Sequence, residues 1–195
     1  MLPKLVSATD GFYLAGGTAL ALQLGHRDSI DFDFFTKSAF SNIEMFEKIK
    51  TAFVGFTVIK TQDEKDTLTV VVDENIKLSF FVYKYDLVKP LVNSDFFKLA
   101  SIEDIGCMKL SAVVSRYLLK DYVDLYWILH HISLADLIAL KEKKYPDLDT
   151  NLVLKSLVYF DDVSAEPIIF KNGRDISFEE MKVYLKKVVI EYSSK

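Results

Sequence analysis

Asp31 and Asp33 are separated by a single residue in the run Ile30 to Thr36, IDFDFFT, where acidic and apolar side chains alternate with a period of two. Such alternation predicts a half-buried strand that sends both carboxylates to one face and Phe32 and Phe34 to the other. Two carboxylates held side by side repel unless a cation lies between them. One or two carboxylates completed by substrate phosphates are a common way to hold Mg2+, and Mn2+ suits the same oxygen ligands. Just upstream, Ala15-Gly16-Gly17-Thr18 opens a run of helix formers, GTALALQL. Free backbone N–H groups at a helix start, approached closely because glycine lacks a side chain, cradle an anion, and Thr18 adds a hydroxyl. Taken singly, an Asp pair also lines the solvated face of an edge strand, and Gly-Gly-Thr also serves as an ordinary cap. Their spacing is what joins them. A helix and turn from Gly17 to Asp28 return the chain to the acidic strand, so a triphosphate can bridge the glycine donors and the metal.

The elements needed to hold that arrangement are legible downstream. Asn42 to Ala52 reads as an amphipathic helix, followed by β-rich segments at Phe53 to Lys60, Thr67 to Val72 and Ile76 to Tyr85, with QDEKD and DEN as turns between them. After Pro90 the periodicity becomes helical: Ile102 to Leu119, Tyr122 to His131, Leu134 to Lys143, Leu152 to Phe160 and Phe178 to Tyr192. The expected fold is α+β: a mixed or antiparallel sheet with flanking helices over residues 1–95, then a C-terminal helical bundle lobe over residues 96–195.

At 195 residues the chain holds one substantial core or two small lobes, and its net charge of -4 offers no global attraction to nucleic acid, so any RNA contact must come from a local patch. One cysteine, Cys107, excludes an internal disulfide, and three histidines without HxxxH spacing argue against a zinc site. No apolar stretch reaches the roughly 18 to 20 residues of a membrane span, so the expected location is cytoplasmic. His26 is expected to cap or pack at a helix end, His130 and His131 to be structural, and Cys107 to be a buried thiol. Phe32, Phe34, Phe80 and Tyr83 sit at strand-core spacing and read as packing.

The segment GGTALALQLGHRDSIDFDFF resembles the opening signature of the AbiEii/AbiGii-type nucleotidyltransferases of the polymerase-beta-like superfamily. Its parts are Gly16-Gly17-Thr18, Leu24-Gly25-His26-Arg27, and Ser29 with Asp31 and Asp33. A second resemblance lies in DIGCMKLSAVVSRYLLKDYVDLYWIL, where Lys109, Arg116, Asp121 and Asp124 fill the family's Lys, Arg and Asp-x-x-Asp places, and Lys120 stands where Arg is usual. On a helix Lys109 and Arg116 align, while Asp121 and Asp124 share a face; without the first motif these four would read as a salt-bridged, solvated surface.

The resemblance implies a nucleotidyltransferase-like fold and transfer of NMP from an NTP to an acceptor, an RNA such as a tRNA end. It implies a toxin of an abortive-infection or type IV toxin–antitoxin pair, with a cognate antitoxin protein as partner. Asp31, Asp33, Lys109 and Asp121 would then be catalytic, with Asp31 and Asp33 on the metal. Gly16, Gly17, Thr18, Arg27, Ser29, Arg116 and Asp124 would bind nucleotide. One departure stands out: superfamily members add a third carboxylate from a later strand, where Ile76 to Phe81 offers Ser79. Two carboxylates then suffice with waters, or Asp121 contributes, or catalysis is weakened. The alternatives are a catalytically degenerate protein of this fold that binds nucleotide or antitoxin, and a haloacid-dehalogenase-like phosphatase, whose DxDxT loop would need Thr where Phe35 stands.

Overall fold

The structure is a computed structural model describing residues 2–164 and 166–194. In chain order its elements are α1 (Leu2–Val6), β1 (Tyr13–Ala15), α2 (Gly16–Leu24), β2 (Phe32–Thr36), α3 (Asn42–Ala52), β3 (Val58–Glu64), β4 (Thr67–Val72), β5 (Ile76–Val82), β6 (Val92–Asn93), β7 (Lys98–Leu99), α4 (Ile102–Ser115), α5 (Leu119–Ile128), α6 (Leu134–Lys144), α7 (Thr150–Val158) and α8 (Phe178–Ser193). Two compact units form: Met1–Ala19, Ser29–Tyr85 and Pro90–Ala100 in the first, and Leu20–Asp28, Asp86–Lys89 and Ser101–Lys195 in the second.

The first unit is built on a mixed sheet of order β3-β4-β5-β2-β1-β7-β6. β3, β4 and β5 form an antiparallel meander, while β2 pairs with β5 in parallel and with β1 antiparallel. Period-two alternation gives the sheet two unlike faces. Phe34, Leu68, Val70, Val72, Leu78 and Phe80 carry the core and are buried, with Phe34 and Phe80 stacked 5.3 Å apart. The opposite face carries Asp33, Ser79, Thr69 and the half-buried rings of Phe35 and Phe81. Tyr83 sits with these, edge-on to Phe35 at 5.3 Å, rather than in the core that its spacing suggests.

α3 begins and ends where its sequence predicts, because Ser41 caps it: its hydroxyl accepts from the Glu44 N–H. Met45 and Ile49 form its buried stripe. β3 lies later than expected and takes in Gln62, Asp63 and Glu64, which composition marks as a turn; only Lys65 and Asp66 make the turn, with Asp66 at a φ of 64°. β3 is a sheet edge, where charged residues are favoured because they discourage pairing with another chain.

The second unit is helical apart from loops. Ser101, Ser133, Asp149 and Ser177 each cap a helix through a side-chain oxygen that accepts a backbone N–H. α4 packs against α5, α6 and α7, burying Ile105, Leu110 and Val113. Gly106 lets the helices pack closely there: a Cβ would meet Leu137 Cδ1 at 2.8 Å and force that side chain to shift. α4 ends at Ser115, earlier than the helical periodicity through Leu119 suggests, and Arg116 turns out of it at φ -152°. Lys109 and Arg116 therefore do not share a helix face; they meet at Asp121 from different backbone settings. Among the described residues no helix is long and apolar enough to cross a membrane.

Candidate active site

In the first unit, β1 runs straight into α2, and the join is Gly16, at a φ of +69°. Ala15 pairs with Asp33 across the β1–β2 ladder, so the residue after it falls beside that carboxylate. A Cβ on Gly16 would lie 2.9 Å from Asp33 Oδ2, so both the backbone angle and the space demand glycine. The start of α2 thus adjoins an acidic oxygen. Thr18, third from that start and buried, turns its hydroxyl back onto the acidic segment: Oγ1 meets Ser29 Oγ at 2.8 Å and the Asp31 carbonyl oxygen. Gly16, Thr18, Ser29, Asp31 and Asp33 are therefore tied into one short stretch of structure, with Gly17 between the first two.

The ladder extends this into a row across the sheet. Ala15 pairs with Asp33, Asp33 with Ser79, Ser79 with Thr69, and Thr69 with Gln62. Side chains in one row share a face. Thr69 Oγ1 lies 3.5 Å from Ser79 Oγ and 3.4 Å from Gln62 Oε1, which makes the row hydroxylic where a further carboxylate would stand. Among the described residues no group of three or more His, Cys, Asp or Glu side chains converges as a metal site. β2 begins at Phe32, so Asp33 lies in the strand and Asp31 one residue before it rather than inside a strand from Ile30; each carries a carboxylate, a hard oxygen ligand. That donor set fits a magnesium-type ion whose remaining ligands come from phosphates and water.

The other sequence-selected residues gather in the second unit as a buried charge network. Asp124, fully buried, accepts from Arg27 Nε at 2.7 Å and Arg27 Nη2 at 2.8 Å, and its Oδ1 lies 2.8 Å from His26 Nε2. Lys109 Nζ stands 2.6 Å from both Asp121 Oδ1 and Asp124 Oδ2. Arg116 completes the chain through Nε to Asp121 Oδ2 at 2.8 Å. Burial, the largest influence on Asp124, works to raise its pKa, yet the charge of Lys109 and the donors of His26 and Arg27 outweigh it and hold the carboxyl well below the usual range. Burial likewise opposes the charge on Lys109, and Asp124 and Asp121 overcome it, raising the ammonium above its ordinary value. Arg116 differs from the rest: 53% of its side chain is exposed, so its fork is anchored on one edge and open on the other.

The sequence profile of the nucleotidyl transferase AbiEii toxin, of type IV toxin–antitoxin systems, matches residues 4–187. The chain belongs to the AbiEii nucleotidyltransferase toxin family. As an AbiEii protein it is a nucleotidyltransferase. An uncharacterized protein of Aquifex aeolicus strain VF5 is 39% identical over 200 residues, covering 98% of this chain and 93% of the relative. Two solved structures share the fold: MenT4, a nucleotidyltransferase toxin of Mycobacterium tuberculosis, at TM-score 0.72 and 18% identity over 100% of this chain and 81% of that one, and JHP933 of Helicobacter pylori, at TM-score 0.57 and 18% identity over 99% and 89%.

Within this AbiEii chain, His26 departs from its sequence reading. It is no surface cap but a fully buried partner of Asp124, with Nδ1 unsatisfied among the described residues. Only the pairing of the Gly-His-Arg and Asp-x-x-Asp motifs in one family signature hints at it. Lys120, in the place where Arg is usual, pairs with Glu166 at 3.1 Å instead of joining the network. Cys107 is buried, which pushes its thiol up to about 12. His130 lies exposed, Nδ1 2.7 Å from the Tyr126 carbonyl and its ring stacked on Tyr184.

Proposed function

We propose that this AbiEii protein transfers a nucleoside monophosphate from an NTP to an RNA acceptor, with Asp31 and Asp33 as ligands of a divalent ion and Gly16, Gly17 and Thr18 as the seat of the triphosphate. The observation that carries the reading is the contact distance at Gly16: the glycine start of α2 lies against the carboxylate of Asp33, so an anion held by one is within reach of a cation held by the other. An ion bound there supplies charge neutralisation at the α-phosphate. The protein's own part is positional. Gly16 and Gly17 present backbone N–H groups, and Thr18 fixes the Asp31 backbone through its hydroxyl.

The reaction is an in-line displacement. An acceptor hydroxyl oxygen bonds to the α-phosphorus, the α–β bridging P–O bond breaks, pyrophosphate leaves, and the hydroxyl proton passes to solvent or a nearby base. Lys109 and Asp121, catalytic by resemblance, form a buried scaffold in which Asp121 orients Arg116, and the open edge of Arg116 is the part a phosphate can reach. Arg27 and Asp124 lock that scaffold, and Ser29 supports Thr18. As the toxin of a toxin–antitoxin pair, the protein would be held in check by a cognate antitoxin.

Purified protein incubated with Mg2+ or Mn2+, RNA and α-labelled NTP is expected to label the RNA, and Asp31→Ala to abolish labelling. Undiminished labelling by the variant removes Asp31 from the reaction. Calorimetric NTP binding with no product on any RNA would instead leave a nucleotide-binding protein without chemistry.

A further inference from the structure

One register step along the sheet from the Asp33 row lies a second row on the same face: Tyr13 pairs with Phe35, Phe35 with Phe81, Phe81 with Thr67, and Thr67 with Glu64. Its first three members are rings in series. Tyr13 and Phe35 stack at 5.9 Å and 26°, and Phe35 and Phe81 at 5.1 Å and 27°. The series stops at Thr67, whose side chain is too short to cover a ring, and among the described residues no ring stacks on the β4 side of Phe81. Phe35 and Phe81 are half-buried, unlike the fully buried Phe34 and Phe80 on the opposite face. Beyond Thr67, the edge strand β3 places exposed Glu64 and Gln62, an acceptor and an amide able to hydrogen-bond a planar ligand's edge.

We infer that the slot between Phe81 and Thr67 seats the unpaired terminal nucleobase of the RNA acceptor, stacked on Phe81 as a fourth ring of the series. This rests on the nucleotidyl-transfer reading above and adds where the acceptor enters. Two arguments select an acceptor base rather than the base of the NTP. First, the start of α2 lies on the β1 side of Asp33, whereas Phe81 and Thr67 lie on the β5 and β4 side. Pyrophosphate leaving toward α2 requires the attacking hydroxyl to approach from the opposite side. Second, the place over Thr67 stands two strands and two residues from Asp33, about 10 Å across and about 7 Å along the sheet, a span covered by a terminal nucleotide from base to ribose hydroxyl together with the α-phosphate and ion between that hydroxyl and Asp33. The ring of Phe81 supplies the aromatic face on which unpaired bases stack, and Gln62 and Glu64 supply hydrogen-bonding groups at its edge.

The test uses a short single-stranded oligoribonucleotide with 2-aminopurine at its 3′ terminus or at an internal position, together with calorimetric titration of a non-hydrolysable NTP. With the wild-type protein and divalent ion, the terminal probe is expected to be quenched more strongly than the internal one. Phe81→Leu removes the stacking surface, and Thr67→Tyr fills the slot with a further ring on a residue type suited to strands. Both are expected to weaken RNA binding by about 5- to 150-fold, the range for one base stack, and to abolish the terminal quench while leaving NTP affinity unchanged. Equal quenching in wild type and Thr67→Tyr overturns the inference even if Phe81→Leu fails to fold. A loss of NTP affinity with RNA binding intact overturns it in favour of the nucleotide's own base. Failure of the wild-type protein to bind RNA while binding NTP rejects the acceptor seat alone; failure to bind NTP at all rejects the underlying reading of the Asp33 site.

Discussion

Arg27 and Asp124, 97 positions apart, close a two-point fork at 2.7 and 2.8 Å inside the helical unit, with both side chains almost wholly withdrawn from solvent. A carboxylate so placed leaves Arg27 and His26 without their shared acceptor, and Lys109 with Asp121 alone, when it is neutralised. Asp124→Asn is expected to destabilise the protein by about 3–5 kcal/mol, the usual cost of breaking a buried pair from one side. Urea unfolding at neutral pH measures it. A loss under 1 kcal/mol would mean that Asp124 is dispensable to the network.

The same network sets a pH signature. Asp124 is held below its ordinary value of 3.8, so its stabilising contribution is complete above about pH 4–5 and declines as pH falls toward its depressed folded value. Lys109 is raised above 10.5, so its contribution is complete below that pH and is lost as pH rises through the folded value. The stability difference between wild type and Asp124→Asn is therefore expected to stay flat from about pH 5 to 10 and to shrink in acid. A difference that peaks within that window would contradict the assignment.

Gly16→Ala tests the join between β1 and α2. The new methyl meets Asp33 Oδ2 and the residue is left at positive φ. A cost of about 1–3 kcal/mol in stability is expected, with at least a tenfold loss of NTP labelling as Asp33 is displaced. Thermal melting and label transfer read the two separately, and normal labelling would detach the helix start from the reaction.

Ser79→Asp puts a carboxylate beside Asp33 in the sheet row, at a position only 2% exposed. Without metal the added charge is expected to lower the melting temperature, since like charges this close disfavour ionisation. Added Mn2+ should restore it, with a larger melting shift than wild type shows. An equal Mn2+ shift in both proteins would show that position 79 does not face the ion.

Much of this architecture could be read from local chemistry. α3 and α6 announce themselves by apolar spacing and a serine cap, and β4 by a run of β-branched residues. The short β1, β6 and β7 could not be read, because two or three residues carry no periodicity. The exposed half of β3 is hidden by its edge charges. Asp31, Asp33 and the glycines stood out because their spacing is itself chemical. The buried pair of Lys144 and Asp104, 2.9 Å apart, was invisible: lysine and aspartate in helices normally face water, and nothing local tells that Asp104 also accepts the Val88 and Lys89 N–H groups.

The parallel pairing of β2 with β5 also orders events in time. Ser79 and Phe81 reach the strand that bears Asp33 only after α3, β3 and β4 have been synthesised, so the β3–β4 hairpin can form while β2 still lacks its central neighbour. A nascent chain that stops short of Val82 carries Gly16, Gly17, Asp31 and Asp33 and yet lacks the complete strand that joins β2 to β4 in the sheet. For a protein of a toxin family, that postpones potency on the ribosome until nearly the whole sheet has emerged.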